Sequence, residues 1–379
     1  MTPRDGVNAA AADVSVLVTT YRRPRHLVRV LESLGRQRLP QGRLEVVVSD
    51  DGSDDETAAV VDRAACDLTV PVRFVTAPRN GFRLAAARNR AARLATGSYF
   101  LFLDGDCVVP PDHVAAHLAR RRRGLALLGY CARLPEDVST RILAEGLDHA
   151  DLDAVVPTSE RIALARRRRK AWWHAALRHP TKPRLAGGDF GVWRRDFEAV
   201  NGFDERFVGW GQEDDDLGLR LRAAGVRLAS ILDATRSLHL WHPVDPTAPV
   251  RWRDGPNVSY FERPGRLVRC RHGLVHRSAR DLLWGLPADL AATPLGRDCH
   301  QVLAATDATR GDWPVEVDLV VRPGCGTFAR EAECRVVVTT AADAVEPALR
   351  AAADRVAVID APTSSGRRAA LDALLADVG

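Results

Sequence analysis

Along the first hundred residues, short apolar runs alternate with stretches in which apolar residues recur at helical spacing. The runs at 14–19 and 44–49 are rich in valine and leucine, which is typical of strands buried on both faces. The same patterns predict further strands at 72–75 and 99–103, and helices at 26–34, 56–65 and 85–94. Strands that alternate with helices predict an α/β fold with a mostly parallel, doubly wound sheet.

Polar residues follow three of the predicted strands, at the edge where open parallel sheets bind their ligands. Thr20 follows the first strand, residues 50–53 (Asp-Asp-Gly-Ser) the second, and Asp104-Gly-Asp106 the last. Two carboxylates around a glycine suit a hard cation such as magnesium or manganese. Ordinary turn chemistry explains residues 50–53 equally well, and a tight turn is the plain alternative at 104–106.

A run of four acids, Glu213 to Asp216, follows a Gly-Trp-Gly sequence at 209–211. Acids favour a helix N-terminus through the helix dipole, so a solvated acidic helix start is one interpretation. A flexible turn that carries Trp210 beside carboxylates also suits stacking on a sugar ring while a carboxylate accepts a hydroxyl proton. The residues alone leave both interpretations open.

The composition excludes several classes of protein. The 379 residues suffice for about two domains. The 54 basic and 49 acidic residues give a net charge of only +5, so nucleic-acid binding is not favoured. Seven scattered cysteines without a C-x-x-C pair predict neither a structural zinc site nor a disulfide framework. Without a signal-like N-terminus or a membrane-length apolar segment, a cytoplasmic protein is expected, and peripheral membrane contact stays open.

Two basic runs and two histidines carry further hypotheses. Residues 120–123 and 166–170 are best interpreted as solvated helix faces; nucleic-acid contact, membrane contact or an anionic acceptor are the alternatives. His239 and His242 stand three residues apart after a predicted strand at 226–232. A single histidine is usually a packing or surface residue, whereas a spaced pair favours metal binding.

Seven segments follow one another along the chain: VSVLVTTYRR (14–23), VVVSDDGSDD (46–55), ARNRAA (87–92), FLDGDC (102–107), GGDFGVWRRDF (187–197), NGFD (201–204) and GWGQEDDDL (209–217). Taken in this order, they resemble the successive motifs of family 2 glycosyltransferases with the GT-A fold. The last three are similar to the C-terminal half that chondroitin-polymerase-like enzymes share with β-1,4-galactosyltransferases, and the resemblance covers roughly residues 13–250.

The resemblance implies a Rossmann-like GT-A domain at 1–255 that binds a nucleotide-sugar donor. It implies that the nucleotide is bound by Thr20, Tyr21, Arg23, Asp50, Asp51, Arg83, Arg88 and Asp104. It places Gly188, Asp189, Trp210 and Glu213 at the sugar. Asp214 is the expected general base, and Asp215 and Asp216 are expected to cap a helix.

The resemblance further implies a bound Mn²⁺ or Mg²⁺, with Asp106 and His242 as ligands and His239 as a weaker one. The expected activity is that of an inverting, metal-dependent glycosyltransferase acting on a UDP-sugar and an unidentified acceptor hydroxyl. A sugar nucleotidyltransferase is an alternative, although it would normally carry a glycine-rich basic loop after the first strand. A non-catalytic basic binding protein is a second alternative, and a membrane-bound processive polymerase is disfavoured.

The remainder, residues 256–379, predicts a small α/β domain. Strands are expected at 315–321, 335–340 and 355–360, and helices at 342–353 and 366–378. A Gly-Cys-Gly segment at 324–326 predicts a turn. The role of this part is open, with homo-oligomerisation, acceptor docking and partner binding as hypotheses.

Overall fold

A computed structural model describes the chain as two compact units, Met1–Val258 and Ser259–Gly379. Within them it describes residues 12–39, 43–147, 151–245, 248–263, 265–278, 281–287, 301–305, 316–321, 328, 332–339, 345 and 347–358. The predicted helix at 366–378 and the predicted turn at 324–326 lie outside these residues.

The first unit is built on a seven-stranded, mostly parallel sheet in the order β3-β2-β1-β4-β8-β6-β9. A second sheet of three short strands has the order β5-β10-β7. The strands are β1 (Val14–Thr20), β2 (Leu44–Asp50), β3 (Val72–Thr76), β4 (Tyr99–Asp104), β5 (Cys107–Val108), β6 (Leu125–Leu128), β7 (Cys131–Arg133), β8 (Asp189–Trp193), β9 (Arg227–Ser230) and β10 (Ser237–His239).

Helices flank this sheet, so the α/β class expected from the alternating pattern is confirmed. Those of the first unit are α1 (Pro24–Gly35), α2 (Thr57–Asp67), α3 (Leu84–Leu94), α4 (His113–Arg120), α5 (Glu136–Glu145), α6 (Thr158–Ala176), α7 (Arg194–Ala199) and α8 (Glu213–Ala223), with a short 3-10 turn at Trp252–Asp254. Among the described helices, none is both long enough and apolar enough to cross a membrane.

Register brings the polar strand ends together. Thr20 pairs with Asp50 across β1 and β2, and Thr19 pairs with Asp104 across β1 and β4. Antiparallel β8 lies beside β4, so that Leu103 faces Asp189. The residues of β1, β2 and β4 are almost all buried, as continuous apolar runs predict.

Aromatic side chains fill the core next to β4. Phe102 stacks on Phe190 with ring centroids 4.6 Å apart, and Phe197 and Phe203 meet Phe102 at 5.1 and 5.5 Å. Such contacts stabilise a core beyond the area that they bury. They fix β8 against β4 and therefore hold residues 187–189 next to Asp104.

The acidic helix α8 is anchored by a buried ion pair. Asp216 accepts a hydrogen bond from Arg220 Nε at 2.6 Å, and both side chains are fully buried. Arg220 also donates to the carbonyl oxygens of Val200 and Gly202. The capping role expected for Asp216 is therefore wrong, because its carboxylate neutralises a buried guanidinium instead.

The second unit contains a five-stranded parallel sheet in the order β12-β11-β13-β14-β15. The strands are β11 (Leu283–Pro287), β12 (Gln301–Ala305), β13 (Val317–Val321), β14 (Cys334–Thr339) and β15 (Arg355–Val358), and the helix between the last two is α9 (Pro347–Ala352). The three strands expected here are present, whereas β11 and β12 were not predicted.

We expect Asp216→Ala to destabilise the protein by about 3–5 kcal/mol, since it leaves the Arg220 guanidinium buried without its carboxylate. The shift of the urea denaturation midpoint measures this loss. Glu198→Ala is the matched control, because Arg194 and Glu198 form an ion pair of the same i,i+4 spacing at the surface. The control should cost at most about 1 kcal/mol. Equal losses in the two variants would contradict the anchoring role of Asp216.

Candidate active site

A cleft of about 1180 Å³ opens in the first unit near the end of β4. Residues that the sequence analysis selected separately meet on its walls: Asp104, Gly188, Trp210, Glu213, Asp214, His239 and His242. Cationic side chains of α6 line another part, among them Arg166, Arg167 and Lys170. An acidic floor beside a basic wall suits a ligand that carries both phosphate groups and hydroxyl groups.

The strand ends of β1 and β2 form an aromatic and charged corner. The guanidinium of Arg79 lies over the Tyr21 ring, 3.7 Å from its centroid, and donates to Asp51 Oδ2 at 2.6 Å. Asp51 also accepts the backbone N–H of Arg83. The backbone N–H of Asp51 donates to the carbonyl of Thr20, which joins the two strand ends. A flat ring and an oriented carboxylate are the groups that a nucleobase and a ribose can use.

Asp50 has a different role from its neighbour. Its carboxylate accepts hydrogen bonds from the backbone N–H groups of Gly52 and Ser53 and from the hydroxyl groups of Ser53 and Thr76. The side chain is buried. These bonds hold the turn after β2, so Asp50 has the structural role that ordinary turn chemistry predicts. Asp51 is the carboxylate that forms the corner with Tyr21 and Arg79.

Three possible metal ligands converge where β5 and β10 pair. His242 Nε2 lies 3.2 Å from Asp106 Oδ2, and His239 Nε2 lies 3.5 Å from Asp106 Oδ1. All three ligand atoms lie within 4.8 Å of one another. Burial alone would raise the pKa of Asp106, but the hydrogen bond from His242 and the charges of His239 and Arg23 outweigh it and lower that pKa.

The ligand atoms of Asp106, His239 and His242 fit a divalent metal ion. His242 Nδ1 lies 2.7 Å from the carbonyl oxygen of Pro243, and a proton shared there leaves Nε2 as the ligand atom. One carboxylate and two imidazoles suit manganese better than magnesium, which prefers oxygen ligands and water. Arg23 donates to Asp106 Oδ2 at 2.8 Å, so the structure places this arginine at the metal ligands rather than beside Asp51.

Arg88 joins the two acidic parts of the cleft. Its side chain is only 2% exposed, and it donates to Asp104 Oδ1 at 3.1 Å and to Glu213 Oε1 at 3.2 Å. Burial lowers the pKa of this guanidinium, yet the charges of Asp104, Glu213 and Asp214 outweigh the burial and raise it. Arg88 therefore does not lie on an exposed face of α3, because its guanidinium is buried between carboxylates.

Glu213 and Asp214 begin α8 and face the cleft. Asp214 Oδ2 accepts the backbone N–H of Gly187 at 2.9 Å, and Oδ1 accepts that of Asp215. Among the described residues, no group donates a hydrogen bond to Glu213 Oε2. Burial raises the pKa of both carboxyl groups, and Arg88 partly offsets the effect. Each carboxyl group therefore binds a proton more readily than it would in water.

The turn that leads into α8 has an uncommon backbone. Gly209 and Gly211 adopt positive φ angles of 83° and 95°, which glycine reaches without steric cost. Gln212 adopts φ 72° immediately before the helix, which is strained for a residue with a side chain. Trp210 is 41% exposed between the glycines and lines the cleft. The turn thus presents a flat ring beside Glu213 and Asp214.

Asp189 does not reach the cleft. Its side chain is fully buried, and its Oδ1 lies 3.3 Å from His113 Nε2 and 3.6 Å from His117 Nε2. The expectation that Asp189 contacts a sugar hydroxyl is therefore wrong. Successive strand residues point to opposite faces, and the preceding residue Gly188 is the one that lies against Asp104.

Two contributors were missed from the sequence. Arg79 forms the corner with Tyr21 and Asp51, although it lies in the loop between β3 and α3, which carries no motif of its own. The Gly187 backbone holds Asp214, and a Cβ atom at Gly187 would lie 2.4 Å from Arg88 Nη2. The paired glycines at 187–188 were the available signal that another group approaches this backbone closely. In the structure the approaching groups are the side chains of Arg88 and Asp214.

Comparisons with known proteins agree with the sequence motifs. Residues 15–177 match the model of glycosyl transferase family 2, and residues 174–243 match the model described as N-terminal domain of galactosyltransferase. Validoxylamine A glucosyltransferase of Streptomyces hygroscopicus subsp. limoneus is 33% identical over 59% of this chain. Chondroitin synthase of Escherichia coli is 27% identical over 58%. The chain covers 51% of the first relative and 33% of the second.

A solved structure is also similar to this chain. It is a mannosyltransferase from Pyrobaculum calidifontis in complex with GDP-Man and Mn²⁺, at 23% identity and a TM-score of 0.44. The match covers 62% of this chain and 61% of the other.

We expect His242→Ala to weaken Mn²⁺ binding by about 100-fold or more, because it removes a ligand from the Asp106 centre. Titration calorimetry or manganese electron paramagnetic resonance measures the change. His174→Ala is the control, because His174 lines the same cleft without lying at Asp106. Equal Mn²⁺ affinity in the wild type and in His242→Ala would refute the assignment of this ligand.

Proposed function

Since residues 15–177 carry a family 2 glycosyltransferase domain, we propose that this chain transfers a sugar from a UDP-sugar to an acceptor hydroxyl with inversion at the anomeric carbon. The observation that carries the proposal is the placement of Asp214 and Glu213 in one cleft with the Asp106–His239–His242 centre. Such a reaction needs a group that accepts a proton and groups that hold a diphosphate. In this proposal the acids of α8 supply the proton acceptor, and the Asp106–His239–His242 centre supplies the groups that hold the diphosphate.

In this proposal Asp214 is the general base. The acceptor oxygen forms a bond to the anomeric carbon while the bond from that carbon to the diphosphate oxygen breaks, and the electron pair leaves with the diphosphate. The hydroxyl proton passes to Asp214. Hydrogen bonds from Gly187 and Asp215 fix this carboxylate, so it faces the acceptor in one orientation.

Other side chains bind and orient the substrates. Glu213 Oε2 is available for a sugar hydroxyl, and Trp210 stacks on a sugar ring. Tyr21 and Asp51 hold the base and the ribose, with Arg79 fixing both. Asp104 faces the ribose from the end of β4 while its Oδ1 stays bonded to Arg88.

Asp106, His239 and His242 would hold manganese, which is preferred over magnesium on account of the two imidazoles. When bound, the ion supplies Lewis-acid stabilisation of the charge that develops on the diphosphate. Arg23, which lies on Asp106, adds a second positive charge near the same group.

The acceptor approaches the wall formed by α6. Arg166, Arg167 and Lys170 line the same cleft as the acids of α8. A cationic wall favours an acceptor that carries an anionic group as well as the hydroxyl. The basic run at 166–170 thus has a role in the cleft beyond that of a solvated helix face.

A sugar nucleotidyltransferase remains a weaker candidate. The chain passes from Thr20 at the end of β1 to Pro24 at the start of α1 within a few residues. That connection contains no glycine and leaves little room for a phosphate-binding loop.

We expect Asp214→Asn to abolish sugar transfer while donor binding persists, because the amide keeps the shape of the carboxylate and cannot take the proton. Transfer is measured as release of UDP in the presence of acceptor. Donor binding is measured as the thermal shift with UDP-, GDP- and dTDP-sugars, with and without Mn²⁺, and a shift only for UDP-sugars with Mn²⁺ is the expected result.

Asp215→Asn is the matched control for that experiment, since Asp215 pairs with Arg184 and is the next residue of the same helix. It should retain most of the activity. Normal turnover by Asp214→Asn would show that Asp214 is not the base. A thermal shift of equal size with and without Mn²⁺ would show that the metal does not take part in donor binding.

The pH dependence should reveal a base with a raised pKa. Burial raises the pKa of Asp214 above that of an ordinary aspartate, so Asp214 becomes protonated, and inactive as a base, at a pH where an ordinary aspartate is still ionised. We expect kcat/KM at saturating Mn²⁺ to fall about tenfold per pH unit below that pKa. An acidic limb that moves in Asp215→Asn would point to Asp215, whose pKa burial raises to about 6.

A further inference from the structure

A second group of possible metal ligands lies on the face of the central sheet opposite to Gly188. It consists of His113 and His117 of α4 and Asp189 of β8, and all three side chains are fully buried. His113 and His117 are four residues apart, so both project from one face of the helix. The ligand atoms lie within 4.8 Å of one another, as in the cleft.

Hydrogen bonding within the group is incomplete. His113 Nδ1 lies 2.8 Å from the hydroxyl oxygen of Thr235, and a proton on Nδ1 leaves the lone pair of Nε2 directed at Asp189. In the part of the chain that the structure describes, His113 Nε2, both nitrogens of His117 and both oxygens of Asp189 have no hydrogen-bond partner of acceptable geometry. Buried polar atoms without partners are rare and costly, and five in one place require an explanation.

The two distances from Asp189 to the histidines match those between ligands of a tetrahedral ion. Zinc binds imidazole nitrogen and carboxylate oxygen at about 2.0–2.2 Å, so two ligands of a tetrahedron stand roughly 3.3–3.6 Å apart. Asp189 Oδ1 lies 3.3 Å from His113 Nε2 and 3.6 Å from His117 Nε2. A second-shell bond from the far nitrogen of a ligand histidine, as His113 makes to Thr235, is also typical of such sites.

Two glycines make room for the group. A Cβ atom at Gly129 would lie 2.1 Å from Asp189 Oδ2. A Cβ atom at Gly191 would lie 2.8 Å from His117 Nδ1 and 2.2 Å from Tyr99 Oη. Both backbone segments therefore approach the polar groups more closely than any larger residue allows.

We propose that His113, His117 and Asp189 bind a structural zinc ion that fastens α4 to the back of β8. Binding through both oxygens of Asp189 would complete a distorted four-coordinate set. Complete burial leaves this centre closed to substrates, which is the property of structural rather than catalytic zinc sites. The cysteine pattern predicted no structural zinc site, and this proposal departs from that prediction because its ligands are histidines and an aspartate.

The test is the zinc content of the full-length protein, purified without chelator and measured by inductively coupled plasma mass spectrometry. We expect about one tightly held zinc per chain in the wild type and less than about 0.1 in His117→Ala. His239→Ala is the matched control, because it removes an imidazole from the cleft centre only and should retain the zinc. Zinc lost from His239→Ala and kept in His117→Ala would overturn the proposal.

A measurement on the wild type keeps the proposal testable if the variants do not fold. Anomalous diffraction recorded above and below the zinc absorption edge should give a peak between the three side chains. Cobalt substituted for the zinc should give the intense visible absorption of a tetrahedral site. A zinc-free protein without the anomalous peak would refute the site and leave a buried imidazolium–carboxylate pair as the explanation of the cluster.

Discussion

The active cleft depends on the neutralisation of one buried guanidinium. Arg88 of α3 is bonded to Asp104 at the end of β4 and to Glu213 at the start of α8, so three elements distant in sequence are held together by one charge. Removing the guanidinium would leave the buried carboxylate of Glu213 without its cation, which is far more costly than losing a surface ion pair. The same guanidinium restricts residue 187 to glycine, and the backbone of Gly187 in turn holds Asp214.

This arrangement gives carboxylates of one cleft opposite proton affinities. His242, His239 and Arg23 surround Asp106 and lower its pKa, so its carboxylate remains charged. Burial raises the pKa of Asp214, which has no cation within bonding distance among the described residues. Carboxyl groups whose environments push their pKa values apart are suited to different tasks. Asp106 can hold a cation while Asp214 exchanges a proton.

Much of this organisation could be predicted from the sequence, because it follows from local patterns. Continuous apolar runs predicted β1, β2 and β4, and parallel strands must bring their carboxyl ends to one edge. The direction of individual side chains could not be predicted. A shift of one residue exchanges the faces of a strand, so Gly188 lies at the cleft and Asp189 lies behind the sheet. The burial of Arg88 was equally hidden, because its partners come from distant segments.

The two histidine–carboxylate groups show why residue types alone do not decide function. Both combine one aspartate with two histidines, yet His239 is 29% and His242 16% exposed, whereas the group behind the sheet has no exposed member. A partly open centre can admit a diphosphate oxygen as a further ligand, and a closed one can only hold the fold. Consecutive residues of the chain separate the two environments, since Gly188 lies against Asp104 and Asp189 belongs to the closed group. Strengthening the closed group would therefore stabilise β8, the strand whose preceding residue Gly188 lies against Asp104 in the cleft.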